Sequence, residues 1–134
     1  MTAEVIYTGH LSTRCRHLRS GSEFITDAPV DNNGRGEAFS PTDTVATALA
    51  SCMFTMMGIK ARDLEVDLTG ATARVTKIMA SGPRRIAAIK VEMNFPVRVD
   101  EKTRKILEHT AMTCPVHYSL HPDIEKQITF NWMS

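Results

Sequence analysis

The sequence has no excess of charge of either sign. Its 16 Lys and Arg nearly balance 15 Asp and Glu, for a formal net charge of +1. Without a global basic field, nucleic acid and anionic membrane surfaces are poor candidate partners. Cysteine is scarce too, with three in 134 residues and therefore an odd count. A chain of this length buries a core without covalent staples, so a disulfide scaffold is not expected. Long hydrophobic runs are missing. The most apolar stretch, Thr44 to Ile59, is shorter than the roughly 18 residues that suggest a membrane span, and it carries several polar or small residues. Met1 to Thr8 holds neither the basic nor the apolar segment of a secretory leader. A phosphate-binding glycine loop, a dinucleotide fingerprint, internal repeats and low-complexity tracts are all absent. What is left is a globular composition, 43% hydrophobic and 23% charged. One domain over residues 1–134 is expected, in the reducing cytoplasm, where cysteines are more often chemical than structural.

Local patterns define an α+β chain. Ala3–Thr8, Thr13–Leu18 and Ser22–Asp27 read as short strands separated by turn-like Gly9–Ser12 and Arg19–Gly21. Ala28–Ser40 is rich in turn residues. A helix then opens with Ser40 as N-cap, Pro41 at the first position and Asp43 three residues after the cap. Its apolar positions cover most of the circumference, which implies burial on several sides. It should end near Lys60–Asp63. Leu64, Val66 and Leu68 alternate with acidic residues and suggest a strand, continued by Ala71, Ala73 and Val75. Ile89 to Val97 is the cleanest alternation, and Pro96 suggests that it ends at a sheet edge. Asp100 caps a helix through about Thr113, Pro115 opens a shorter one, and Ile124 to Trp132 suggests a final strand whose alternation Lys126 spoils.

Three cysteines are candidates for chemistry. Cys52, mid-helix, reads locally as core packing, because the helix dipole helps little there and apolar surroundings favour the thiol. Cys114 precedes Pro115 and sits where an N-cap would be, which favours thiolate. On local grounds it is the better-activated sulfur. Cys15 lies between Arg14 and Arg16 in a strand, so the two arginines share one face and the thiol takes the other. Cys114-x-x-His117 and Cys15-x-His17 are possible metal half-sites, with His10, His109 and His121 as further ligands, but none has the spacing of a zinc module. A Cys114–His117 hydrolase lacks an oxyanion signature. Met53, Met56 and Met57 stripe the helix beside Cys52, either as adaptable core or as the wall of an apolar pocket.

Phe39-Ser40-Pro41-Thr42-Asp43-Thr44-Val45-Ala46-Thr47-Ala48-Leu49-Ala50-Ser51-Cys52 resembles the central-helix segment of the OsmC/Ohr family, and Thr113-Cys114-Pro115-Val116 resembles its second-cysteine segment. The resemblance covers essentially the whole chain. It implies an OsmC-like fold of antiparallel sheets packed on a buried central helix, with two chains intertwined as a homodimer. It further implies a thiol-dependent peroxidase for organic hydroperoxides or hydrogen peroxide. By resemblance, Cys52 is the peroxidatic residue, Cys114 the resolving residue, and a dithiol the reductant, with no metal, flavin or haem. Peroxidatic members usually carry a glutamate directly after the helix-opening proline, where this chain has Thr42. They also place an arginine in the N-terminal hairpin, where only Arg14 or Arg16 could substitute. A non-catalytic OsmC-like protein, binding an apolar ligand or sensing redox state, is the alternative that Thr42 favours.

Overall fold

The computed structural model describes residues 1–134 as six strands and three α-helices in a mixed α+β arrangement with two three-stranded sheets. The chain divides into two compact units, Met1–Val45 and Ala46–Ser134.

The first unit holds β1 (Ala3–Gly9), β2 (Ser12–His17) and β3 (Glu23–Asp27), paired antiparallel in that order. These are the three strands the turn residues mark out. The β1–β2 turn puts His10 and Leu11 at positive φ (56° and 62°), a conformation uncommon for a leucine. It is held by the Leu11 carbonyl, which accepts the Ala28 N–H at 3.0 Å. Asp27 ties β3 to the following loop: its buried carboxylate accepts from the Ser12 hydroxyl and, at 3.2 Å, from the Glu37 N–H. That loop ends at Ser40, whose Oγ accepts the Asp43 N–H at 3.0 Å while the Asp43 carboxylate accepts the Ser40 N–H at 2.9 Å. This reciprocal capping box starts helix α1, Pro41–Asp63.

The second unit contains most of α1. At 23 residues this helix is long and apolar enough by composition to cross a membrane, but Leu49, Met53 and Met57 are fully buried within the protein core. The same core holds Ile89, Val91 and Met93 of β5 (Arg85–Phe95) and Leu107 and Ala111 of α2 (Glu101–Ala111). Strand β4 (Thr72–Ala80) pairs antiparallel with β5. Strand β6 (Glu125–Trp132) pairs with β5 in parallel, so the expectation of antiparallel sheets fails at this one ladder. Parallel neighbours need a crossover, and α2 with α3 (Pro115–Ser119) supplies it.

Three further differences from the sequence pattern have local causes. Leu64, Val66 and Leu68 belong to no strand. Glu65 adopts a left-handed φ of 59°, and the Val66 N–H returns to the Ala61 carbonyl at 2.8 Å, closing α1 with a Schellman-type cap. The alternation there serves to turn Leu64, Val66 and Leu68 back onto the core. Strand β5 is central rather than at an edge, because its ladder stops at Phe95, one residue before Pro96. Lys126 lies within β6, on the same face as half-buried Ile128, Phe130 and Trp132. An inward-facing charge on an edge strand discourages further strand pairing.

Candidate active site: a pair of free thiols

Both Cys52 and Cys114 lie in the second unit. Helix α1 carries Cys52 one residue before fully buried Met53, so its side chain sits half-buried at the margin of the apolar face. The surrounding methionines are core rather than a pocket wall: Met53 and Met57 have no exposed surface, and only Met56 is partly accessible.

Cys114 is placed by different means. Helix α2 ends at Ala111, and the chain then extends so that Cys114 (φ −72°, ψ 149°) becomes the N-cap of α3 with Pro115 in its first turn. The Cys114 Sγ accepts the His117 N–H at 3.3 Å, and the Val116 N–H also favours charge on this sulfur. The side chain is fully buried. Burial pushes the Cys114 thiol up, and this outweighs the two amides, which pull it down. Cys52 adds to the rise as a hydrogen-bond partner and through its charge. The expectation that an N-cap position makes Cys114 the better-activated sulfur is therefore corrected. The cap acts as expected, but desolvation wins.

The structure thus brings together two residues 62 positions apart and leaves both sulfurs free. His117, which the sequence offers as a metal half-site with Cys114, contributes a backbone N–H instead. Burial first, and the charge of Lys126 second, push its imidazole down, so it is neutral at pH 7. No group of three or more His, Cys, Asp or Glu residues is placed to hold a metal ion. The Val116 and His117 amides were not foreseen as functional groups. Their signal was the cysteine–proline pair itself, since a cap followed by proline puts the next two N–H groups on the cap side chain.

Cys15 and the hairpin and helix-opening residues lie in the first unit, while His109 and His121 lie in the second. Cys15 faces away from exposed Arg14 and Arg16 and contacts the Thr13 hydroxyl at 3.7 Å. Arg14 is 3.9 Å from Glu23, within its own sheet. The Thr42 hydroxyl is 3.2 Å from the Ser40 hydroxyl, and Asp43 is committed to the capping box. Neither side chain reproduces the glutamate usual in peroxidatic relatives.

The family model for OsmC-like proteins matches residues 34–129. The chain belongs to the OsmC-like family. This match runs from the loop before the α1 cap through both cysteines and into β6. No curated protein matches the chain. Among solved structures, a Psychrobacter arcticus 273-4 protein named for osmotic stress induction and the detoxification response is 54% identical. It superposes with a TM-score of 0.95 over 98% of this chain and 96% of its own. An OsmC-like protein from Mycoplasma pneumoniae shares the fold at 13% identity and a TM-score of 0.81, over 98% of this chain and 96% of its own. So does an organic hydroperoxide resistance protein, OsmC, from Legionella pneumophila, at 12% identity and a TM-score of 0.76, over 98% and 97%.

Proposed function

We propose that this OsmC-like protein is a thiol-dependent peroxidase that reduces organic hydroperoxides, or hydrogen peroxide, in the reducing cytoplasm. The observation that carries the reading is the interacting pair of free thiols, one half-buried and one buried, drawn from distant parts of the chain. Cys52 thiolate attacks the hydroperoxide, the O–O bond breaks, and the alcohol leaves. The resulting sulfenic acid condenses with the Cys114 thiol to give a disulfide and water. A dithiol reductant restores both thiols by exchange. Burial holds the proton on Cys114 beyond the usual thiol range, so it meets the sulfenic acid as a thiol. The chemistry uses only the two sulfurs and their hydrogen-bond partners.

The active form is a homodimer in this reading. The first unit leaves Val5, Tyr7 and Phe24 exposed on one face of its sheet, and Ile59 of α1 is also half exposed, apolar side chains that a second copy could cover. A second reading, a non-catalytic protein that binds an apolar ligand or senses redox state, draws its support from Thr42 and from Arg14 being engaged with Glu23. Turnover separates the two. Peroxide loss is followed with cumene hydroperoxide and dithiothreitol. The peroxidase reading requires multiple turnovers by the native protein, none by Cys52→Ser, and slower turnover by Cys114→Ser, in which dithiothreitol must reduce the sulfenic acid directly. No peroxide loss above the blank would leave the binding reading.

A further inference from the structure

The two sulfurs differ in a way that fixes the direction of the reductive half-reaction. This inference rests on the reading that Cys52 and Cys114 form a disulfide. We infer that the reducing thiol attacks the Cys52 sulfur, never the Cys114 sulfur, and that Cys114 departs toward the N–H group of His117. Thiol–disulfide exchange needs in-line access to the sulfur under attack. Cys114 has no exposed surface even in a single chain, and association with another copy can only add burial. Cys52 is the member of the pair with accessible surface.

A leaving sulfur also needs somewhere to put the electron pair. Cys114 has it: its Sγ already accepts the His117 N–H at 3.3 Å, and the Val116 N–H acts on it in the same sense. Cys52, in mid-helix, has its neighbouring N–H groups committed to the helix ladder. The step balances as follows. A thiolate of the reductant bonds to Cys52 Sγ, the Cys52–Cys114 bond breaks, and its electron pair goes to Cys114, which then takes a proton from water. The second thiol of the reductant attacks its own mixed-disulfide sulfur, releasing Cys52 thiolate and a cyclic disulfide. His117 thus assists catalysis through a main-chain group in contact with a reacting atom.

The test begins with the disulfide made by diamide, so that peroxidase activity is not required. Failure of diamide to join Cys52 to Cys114 would sink the paired-thiol reading itself. With the disulfide in hand, brief exposure to 2-mercaptoethanol is quenched with N-ethylmaleimide in denaturant, which opens Cys114 to labelling, and the peptides are weighed. The expected product carries mercaptoethanol on Cys52 and maleimide on Cys114, and the reverse distribution overturns the inference. The departure step is read from the rate of reduction by dithiothreitol. His117→Pro removes the N–H together with the imidazole, at a helix position that needs no intrahelical donor, and should slow reduction about fivefold, as loss of a cap bond does. His117→Ala keeps the N–H and should match the native rate. Equal slowing by both variants would count against the amide and for the imidazole.

Discussion

Cys114 illustrates how competing local effects are ranked by burial. Two amides favour its thiolate, but loss of water favours the thiol more. This has a consequence for stability. In the unfolded chain a cysteine ionises near pH 8.5, on the order of the usual thiol value. In the fold Cys114 holds its proton beyond that point, so as pH rises the unfolded state loses its proton first. The stabilisation is complete below the ordinary thiol range and is lost progressively as pH rises through it toward the folded value. Urea unfolding at neutral and alkaline pH should therefore show a larger alkaline loss for the native protein than for Cys114→Ser, and equal losses would contradict the assignment. A second expectation concerns the pair. Cys52→Ser removes one cause of the rise but leaves burial, so the titration midpoint of Cys114 should fall without reaching the ordinary thiol value, measured by thiolate absorbance against pH in a Cys15→Ser background. Cys114 as a cap was legible from Cys114-Pro115. Its burial was not, because burial is decided by α1 and β5, which lie far away in sequence.

At the scale of elements, the sequence is most informative where a short motif closes on itself. The Ser40–Asp43 box and the Asp100 cap, whose carboxylate accepts the Thr103 N–H at 2.8 Å, are each contained within four residues, and both were readable. Ser40→Ala should cost about 1 kcal/mol. In a chain of this size that is a fall in melting temperature of about 4 °C, checked by calorimetry. Truncating the core face is more severe: Leu49→Ala should cost about 2–5 kcal/mol, read from the shift in urea midpoint. Alternation was a weaker guide. Leu64, Val66 and Leu68 have the period of a strand but find no strand partner, and Glu65 turns the chain instead. The parallel pairing of β6 was hidden for a similar reason, since ladder direction depends on a partner more than 30 residues away rather than on the strand's own pattern.

At the scale of the whole molecule, membership of the OsmC-like family and the α+β architecture rest on a match spanning residues 34–129. The resemblance of the two cysteine segments makes both legible in the sequence alone. Composition had said only that the chain is globular and nearly neutral. Assembly as a homodimer, proposed above, predicts twice the chain mass by light scattering at micromolar concentration and a melting temperature that rises with protein concentration. A monomeric mass with a concentration-independent transition would contradict it. The central claim, though, is chemical, and one measurement reaches it most directly. Fully reduced protein is mixed with one equivalent of an organic hydroperoxide, quenched with N-ethylmaleimide, and its peptides are mapped by mass spectrometry. The account predicts rapid formation of a Cys52–Cys114 disulfide with Cys15 alkylated, and no such bond in Cys52→Ser. Unmodified thiols at all three cysteines after excess hydroperoxide would contradict it.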